Sequence, residues 1–175
     1  QLKCGMPLEG YAYTVDQQCG SGMKAFELVS QSIQLGKIDT AVAVGIESMS
    51  NAPYLLTKAR EGYRMGHGEM YDSMLYDGLI CAMQGYHMGI TAENLVDRYG
   101  ISREEQDQLA LQSHQRAAQA WQKGLFASET VPVVIPGKKG DVIIDRDEHP
   151  RADLTMEKLA AMRPAFKKDG TVTAG

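Results

Sequence analysis

Apolar residues recur every three or four positions from Met23 onward, which is the spacing of one face of a helix. Gly36 follows this pattern as a C-terminal stop. Short apolar runs stand on either side of the helix, at residues 11–15 and 40–46, and both are typical of strands. Strand, helix and strand in this order predict a βαβ unit of an α/β fold.

Residues 51–85 lack clean periodicity and are rich in Gly, Tyr and Met, so we interpret them as a long, loop-rich insertion. A helix is predicted over residues 92–99. A longer one opens with a capping box, in which Ser102 and Glu105 cap each other's backbone, and runs to about Gly124.

The longer helix is predicted to turn one apolar stripe inward: Leu109, Ala110, Ala117, Ala120 and Trp121. Two strand-like runs, 129–135 and 141–145, predict a hairpin, and residues 154–161 predict a last short helix. We therefore expect residues 1–50 to carry a βαβ portion of an N-terminal domain, and residues 51–175 to form an inserted α+β loop domain.

Net charge, the length of apolar runs and cysteine spacing limit the classes of partner and site that we expect. A net charge of -4 gives no reason to expect nucleic acid or an anionic membrane as a partner. No apolar run approaches the roughly 20 residues that span a bilayer, so we expect a cytoplasmic protein. The three cysteines, Cys4, Cys19 and Cys81, lack Cys-x-x-Cys spacing, and neither a disulfide framework nor a metal site is expected.

Cys19 is the candidate nucleophile. It stands between a predicted strand and a predicted helix, where unpaired backbone N–H groups and the helix dipole stabilise negative charge. The small residues that follow, Gly20, Ser21 and Gly22, let a substrate approach the sulfur closely. The alternative is a buried, inert cysteine, which is common for this residue type.

Five sequence blocks, taken together, resemble the thiolases, and more narrowly the acetyl-CoA acetyltransferases or acetoacetyl-CoA thiolases. In chain order they are the segments 19–22, 45–50, 85–94, 163–166 and 169–175. The resemblance implies that Cys19 attacks acetyl-CoA and forms an acetyl-cysteine. A second acetyl-CoA then gives acetoacetyl-CoA and free coenzyme A. Coenzyme A thioesters enter as substrates, and no separate cofactor is implied.

The resemblance also implies a set of residues that contact coenzyme A: Leu79, His87, Met88, Arg151, Phe166, Ala174 and Gly175. Each has a structural alternative. Leu79 and Phe166 would be core residues in any fold, Arg151 an exposed loop cation and His87 a core histidine.

Two departures from the family pattern affect the site. Asp16 replaces the usual asparagine three residues before Cys19. A carboxylate near the sulfur would oppose a thiolate, or it would only cap the structure differently. Lys158 stands where some relatives have a serine that contacts coenzyme A. The family's Gly-His-Pro loop, Cys-x-Gly loop and catalytic asparagine are not found, so we expect an internal segment of a longer enzyme that does not turn over by itself.

Assembly and substrate range are also implied by the resemblance. Thiolases bury the region around residues 41–46 between subunits, and a basic loop like residues 58–65 joins dimers into tetramers, so a homodimer or homotetramer is expected. Two alternatives stay open. They are a degradative 3-ketoacyl-CoA thiolase with longer-chain substrates, and a catalytically incomplete fragment that binds coenzyme A.

Overall fold

A computed structural model describes residues 2–175. The chain divides into two compact units, Gln1–Ile80 and Cys81–Gly175. The boundary expected at residue 50 marks where an inserted domain begins, which is a different division from that into compact units. It stays a prediction. No helix among residues 2–175 is long and apolar enough to cross a membrane.

The first unit is built around helix α1, Ser21–Gln34, which confirms the first predicted helix. Gly36 lies in the left-handed region at φ +65° and ends the helix. Two hydrogen bonds close the C-terminus, from Lys37 N to Ser32 O at 3.0 Å and from Gly36 N to Ile33 O at 2.9 Å. This pair of bonds is the Schellman motif that a glycine after a helix favours.

The remaining elements of the first unit are short. Strands β1, Tyr54–Leu55, and β2, Tyr71–Asp72, form an antiparallel pair. A π-helical turn, Met74–Leu79, follows β2. The segment interpreted as a loop-rich insertion therefore contains one small strand pair and one irregular turn. Single 3-10 turns occur at Leu2–Cys4, Gln18–Gly20 and Met49–Asn51.

The two strands predicted beside α1 are not formed: residues 11–17 and 40–48 belong to no strand. The physical reason is that a strand exists through ladder hydrogen bonds to a neighbour, and no segment within residues 2–175 pairs with either run. Residues 40–46 nevertheless pass close to the start of α1. A Cβ placed on Gly45 would lie 3.7 Å from the Cα of Gly22.

The second unit contains three helices, which are α2, Met88–Tyr99, α3, Arg103–Gln122, and α4, Met156–Ala160. All three were predicted, although α2 begins four residues earlier than expected. Strands β3, Val133–Ile135, and β4, Val142–Ile144, form the predicted antiparallel hairpin, with Val134 opposite Ile143.

The helix ends in the second unit follow the sequence signals. Ser102 accepts a hydrogen bond from Glu105 N at 3.2 Å, and the Glu105 carboxylate accepts one from Ser102 N at 2.8 Å. Gly100 and Gly124 both have left-handed backbones, at φ +65° and +66°, just after α2 and α3. The capping box and both glycine stops are therefore confirmed.

The packing of α3 differs from the prediction. Leu109 is 69% exposed, so it does not belong to an inward stripe, while the other four residues of that stripe are half-buried. The buried apolar side chains are instead Leu154 and Leu159, from α4 and the residues before it. Leu109 lies outside the packed face because apolar spacing does not say which side of a helix a neighbour covers.

The side chain of Arg103 links α3 to α4. The guanidinium of Arg103 donates from Nε to both Asp107 carboxylate oxygens, at 2.8 and 2.9 Å. The same guanidinium also donates to the carbonyls of Leu159 and Met162. One planar group with several donors thus satisfies a buried carboxylate and the C-terminal carbonyls of a neighbouring helix.

Candidate active site

Cys19 lies in the 3-10 turn Gln18–Gly20, directly before α1, and its thiol is exposed. The residue between Cys19 and α1 is Gly20, which has no side chain to cap the helix. No side chain caps the first turn of α1, although Ser21 N already donates to Gln18 O, and the helix dipole favours negative charge there. Cys19 is therefore not buried as the alternative of an inert cysteine required, and its reactivity stays a prediction.

The residue before Cys19 has an unusual backbone. Among the described residues, Gln18 is the single non-glycine residue with a positive φ, at +52°. Such a conformation costs about 1–3 kcal/mol and persists only where surrounding bonds enforce it. The neighbouring Ser21 supplies two of these bonds. Its hydroxyl accepts from Gln17 N at 2.8 Å and donates to Gln18 O at 2.7 Å.

Asp16 contributes to the same turn. Its carboxylate accepts a hydrogen bond from Gln18 N at 3.1 Å. This bond closes an Asx turn, which tolerates the left-handed residue that follows. Of the two roles considered for this departure from the family, the structure gives the carboxylate a capping role in the turn that carries Cys19.

A further hydrogen bond joins this turn to the segment that carries Leu79, one of the predicted coenzyme A contacts. The side-chain amide of Gln18 donates to Asp77 O at 2.9 Å, and Asp77 lies two residues before Leu79. Leu79 is the last residue of the π-helical turn and is half-buried. The first unit thus connects the elements that carry Cys19 and Leu79.

In the second unit, His87 is the N-cap of α2. Its Nδ1 accepts a hydrogen bond from Gly89 N at 2.9 Å. An acceptor at Nδ1 assigns the neutral tautomer with its proton on Nε2, so Nε2 is the donor that His87 can offer to a ligand. His87 is therefore an ordered cap with one free nitrogen rather than a fully buried core residue.

Phe166 packs against His87. The two rings are stacked, with centroids 4.8 Å apart and planes inclined by 23°. Gly89 makes this contact possible, because a Cβ at that position would fall well inside contact distance of the Phe166 ring. Met88, which follows His87, is exposed. Three of the predicted contact residues are thus gathered at the N-terminus of α2.

Three more predicted residues, Arg151, Ala174 and Gly175, line one small cavity of about 20 Å³. An adjoining open cavity of about 230 Å³ shares Gly175 with it. Both are also lined by His114 and His149, whose rings lie 5.9 Å apart. Neither histidine was among the predicted contact residues.

His114 holds the backbone at Arg151. Its Nδ1 accepts a hydrogen bond from Arg151 N at 3.1 Å. This bond gives His114 a structural role, and the residue also lines the cavity. Proximity of His149 to Arg151 in sequence was the one signal that could have found it.

Lys158 lies near the same region and is paired. Its ammonium donates to the Asp153 carboxylate at 2.7 Å and to Asp153 O at 2.8 Å. This hydrogen bond and the charge of Lys158 lower the pKa of Asp153, and Arg151 adds a smaller effect. The cation that replaces a family serine is thus held by a neighbouring carboxylate.

A further residue of the site was also not predicted. Glu93, on α2, is 1% exposed, and its carboxylate accepts hydrogen bonds from the backbone N–H groups of Thr171 and Val172. It thereby fastens the segment that ends at Ala174 and Gly175. Its spacing on α2 gave no hint, because the partners are far away in sequence.

The structure thus places Cys19 and Leu79 in the first unit and the other six predicted residues in the second. Within the second unit, His87, Met88 and Phe166 form one group, and Arg151, Ala174 and Gly175 form another. Helix α2 has contacts near both groups: His87 at its N-cap stacks on Phe166, and Glu93 holds Thr171 and Val172, shortly before Ala174.

The similarity to known proteins extends over nearly all of this chain. The family model described as "Thiolase, N-terminal domain" matches residues 1–175. A protein named "Probable acetyl-CoA acyltransferase" from Staphylococcus aureus strain NCTC 8325 is 53% identical over 175 residues, which are 99% of this chain and 44% of that protein.

Two solved structures share the fold. The acetyl-CoA acetyltransferase from Syntrophomonas wolfei matches with a TM-score of 0.95 and 53% identity, over 99% of this chain and 43% of that one. The acetyl-CoA acetyltransferase from Bacillus anthracis matches with a TM-score of 0.93 and 46% identity, over 99% and 44%. The chain therefore spans less than half the length of these relatives.

Proposed function

This chain belongs to the thiolase family, and on that premise we propose that it carries the nucleophile and part of the coenzyme A site of an acetyl-CoA C-acetyltransferase. The enzyme would join two acetyl-CoA molecules into acetoacetyl-CoA with release of coenzyme A. The observation that carries this proposal is the exposed Cys19 thiol at the uncapped N-terminus of α1.

The first step uses that geometry. The Cys19 thiolate attacks the thioester carbon of acetyl-CoA, the carbon–sulfur bond to coenzyme A breaks, and coenzyme A leaves as its thiolate. Sulfur suits both steps because it attacks well and leaves well. The oxyanion that forms in between is stabilised by backbone N–H groups at the start of α1, where Gly20 and Gly22 leave room for it.

The second step needs a carbon nucleophile. A base removes a proton from the methyl group of a second acetyl-CoA, and the carbanion attacks the acetyl-cysteine carbonyl. Cys19 then leaves, and acetoacetyl-CoA forms. The sequence contains neither the Gly-His-Pro loop nor the Cys-x-Gly loop that the family uses for this proton transfer. We therefore propose that these 175 residues by themselves do not turn over.

The roles in substrate binding are proposed residue by residue. Leu79, Met88 and Phe166 supply apolar contacts for the pantetheine arm, and His87 supplies a donor at Nε2. Arg151 supplies a cation for the nucleotide end, beside the cavity that Ala174 and Gly175 also line. These roles are supported by the grouping of the residues around α2 and by the exposure of Arg151 and Met88.

The test is mass spectrometry of the protein before and after acetyl-CoA is added, with peptide mapping of the adduct. We expect one acetyl group on Cys19 and none in the Cys19→Ala variant. Cys4→Ala is the matched control. Cys4 is also exposed, but it ends a 3-10 turn and does not stand before an α-helix. An adduct on Cys4 and not on Cys19 would remove the basis of the proposal.

The second candidate is a degradative 3-ketoacyl-CoA thiolase. The relative from Staphylococcus aureus favours it in one respect, since its name specifies an acyl rather than an acetyl transfer. Thiolysis rates of the full-length protein with acetoacetyl-CoA and with a longer 3-ketoacyl-CoA decide between the two. A higher kcat/KM for the longer substrate would support the second candidate.

Assembly as a homodimer or homotetramer is also proposed. Its support is the exposure of Val42, Val44 and Ile46, an apolar row beside the helix that follows Cys19. Light scattering of the full-length protein gives its mass, and charge reversal at Lys58 and Arg60 tests whether the basic loop joins dimers. The expected cytoplasmic location stays a prediction.

A further inference from the structure

We propose that Glu93 is a positioning residue for the coenzyme A site, which it orders by fastening residues 170–175 to α2. This inference rests on the proposed function, since it concerns the same ligand. It goes beyond that function because Glu93 belongs to no residue set that the sequence assigns to binding or chemistry.

The first observation is that the Glu93 carboxylate is buried and, in the part of the chain that the structure describes, has no side-chain cation at hydrogen-bond distance. Glu93 is 1% exposed, and its hydrogen bonds come from backbone N–H groups rather than from a side-chain cation. Thr171 N lies 2.9 Å from Oε1 and 3.2 Å from Oε2, and Val172 N lies 2.9 Å from Oε1. A carboxylate removed from water requires such donors, and hydrogen bonds to a charged acceptor are the strong ones.

The second observation is that the neighbouring chain is shaped around this carboxylate. A Cβ on Gly170 would fall well inside contact distance of Glu93 Oε1. A residue with any side chain at position 170 would therefore push the carboxylate away from Thr171. The glycine and the buried acid form one fitted pair.

The third observation is that this anchor organises both ligand-lining groups. Ala165 N donates to Val172 O at 2.9 Å. The residue next to Phe166 is therefore bonded to Val172, whose own N–H donates to Glu93. Phe166 stacks on His87 at the start of the same helix. On the far side, Gln106 Nε2 donates to Thr171 Oγ1 at 2.9 Å. Loss of the Glu93 bonds leaves the N–H groups of the half-buried Thr171 and Val172 without this acceptor and loosens this arrangement.

The test compares two carboxyl-to-amide substitutions on α2 in the full-length protein. Glu93→Gln removes the buried charge, whereas Asp97→Asn removes an exposed charge one turn later that pairs with Lys167 on the same segment, at 2.8 Å. Both changes alter the net charge equally. Steady-state kinetics with acetyl-CoA separate KM from kcat, and mass spectrometry follows acetylation of Cys19.

We expect Glu93→Gln to raise KM roughly tenfold, since a charge-assisted bond to a backbone donor is weakened, with kcat within about twofold. Asp97→Asn should change KM less than about twofold, as an exposed pair contributes little. A folded Glu93→Gln protein with an unchanged KM would overturn the inference, while acetylation of Cys19 in the wild type would still support the proposed function. Absence of that acetylation would instead remove the proposed function.

Hydrogen exchange of the wild-type protein gives a test that does not depend on the variant folding. The amides of Thr171 and Val172 should exchange more slowly than the other amides of residues 163–175, because their acceptor is buried. Coenzyme A should slow their exchange further. Exchange as fast as that of the exposed Lys168 amide would overturn the inference.

Discussion

The side-chain amide of Gln18 donates to the main-chain carbonyl of Asp77 at 2.9 Å. This bond joins the strained turn before Cys19 to the π-helical turn that ends at Leu79. A backbone held at positive φ needs such external restraint, because an unrestrained glutamine would relax to a common conformation. The orientation of the Cys19 thiol therefore depends on a contact far away in sequence.

Replacement of Gln18 by asparagine tests this restraint. Asparagine tolerates a left-handed backbone, but its side chain is one methylene shorter and does not span the distance to Asp77. We expect a loss of about 0.5–1.5 kcal/mol in the free energy of unfolding and a several-fold slower acetylation of Cys19. Urea unfolding and a mass-spectrometric time course measure the two effects. The same shortening at Gln17 is the control, and equal acetylation rates for Gln18→Asn and wild type would contradict the prediction.

Gly89→Ala tests the contact between Phe166 and His87. In an open helical position this change stabilises a protein by up to about 1 kcal/mol. Here the new methyl group overlaps the Phe166 ring, so we expect a loss of about 1–3 kcal/mol in the free energy of unfolding.

Gly78→Ala is the matched control for Gly89→Ala. Gly78 also lies in a helical turn, and a Cβ there meets open space. Thermal or urea unfolding of both variants should therefore show opposite signs or at least a clear difference. Equal effects would mean that the Phe166 ring moves away without cost.

Arg103→Lys tests the link between α3 and α4. Lysine keeps the positive charge but replaces a planar group with several donors by a single ammonium, which does not reach Asp107 and the carbonyl of Met162 at once. We expect a loss of about 1–3 kcal/mol in the free energy of unfolding.

The exposed pair between Lys24 and Glu27 on α1 supplies the control for Arg103→Lys. Lys24→Ala should change the free energy of unfolding by less than about 1 kcal/mol, because both partners are accessible to water. If Arg103→Lys were as mild as Lys24→Ala, the guanidinium would not be the link that the structure indicates.

Stability should depend on pH through Glu105. Hydrogen bonds from the backbone and side chain of Ser102 lower the pKa of this carboxyl in the folded protein. The unfolded state then binds the proton more tightly. The contribution is therefore complete above the ordinary glutamate value of about 4.3 and is lost as pH falls through the lower folded pKa.

Glu105→Gln isolates this effect, because glutamine preserves the capping box without titrating. The stability of wild type relative to Glu105→Gln should fall as pH is lowered from neutral into this acidic range. Urea unfolding of both proteins across that range measures the difference. If the difference in unfolding free energy did not vary with pH, the charge of Glu105 would not contribute to the stability of the capping box.

The helices and their ends were determined by the sequence, because their signals are local. Gly36, Gly100 and Gly124 stop three helices at the predicted places, and Ser102 and Glu105 cap each other as predicted. A capping group and its target lie within a few residues of each other, so no distant part of the chain is needed to specify them.

The position of Cys19 before a helix was also read correctly from the sequence, since it needs only a run of small residues and an apolar period. The roles of His87, Phe166 and Arg151 came from resemblance to a family, and they stay predictions. The structure adds that the first two residues stack on each other.

Tertiary structure decided what depends on partners far along the chain. The expected strands at residues 11–15 and 40–46 are absent, because a strand needs a paired neighbour and none of residues 2–175 provides one. Leu109 is exposed, since amphipathic spacing does not say which face a neighbour covers. The buried role of Glu93 likewise depends on Thr171 and Val172, which reach it only in the folded chain. Local sequence determines where a helix begins and ends, whereas burial and pairing depend on how distant segments meet.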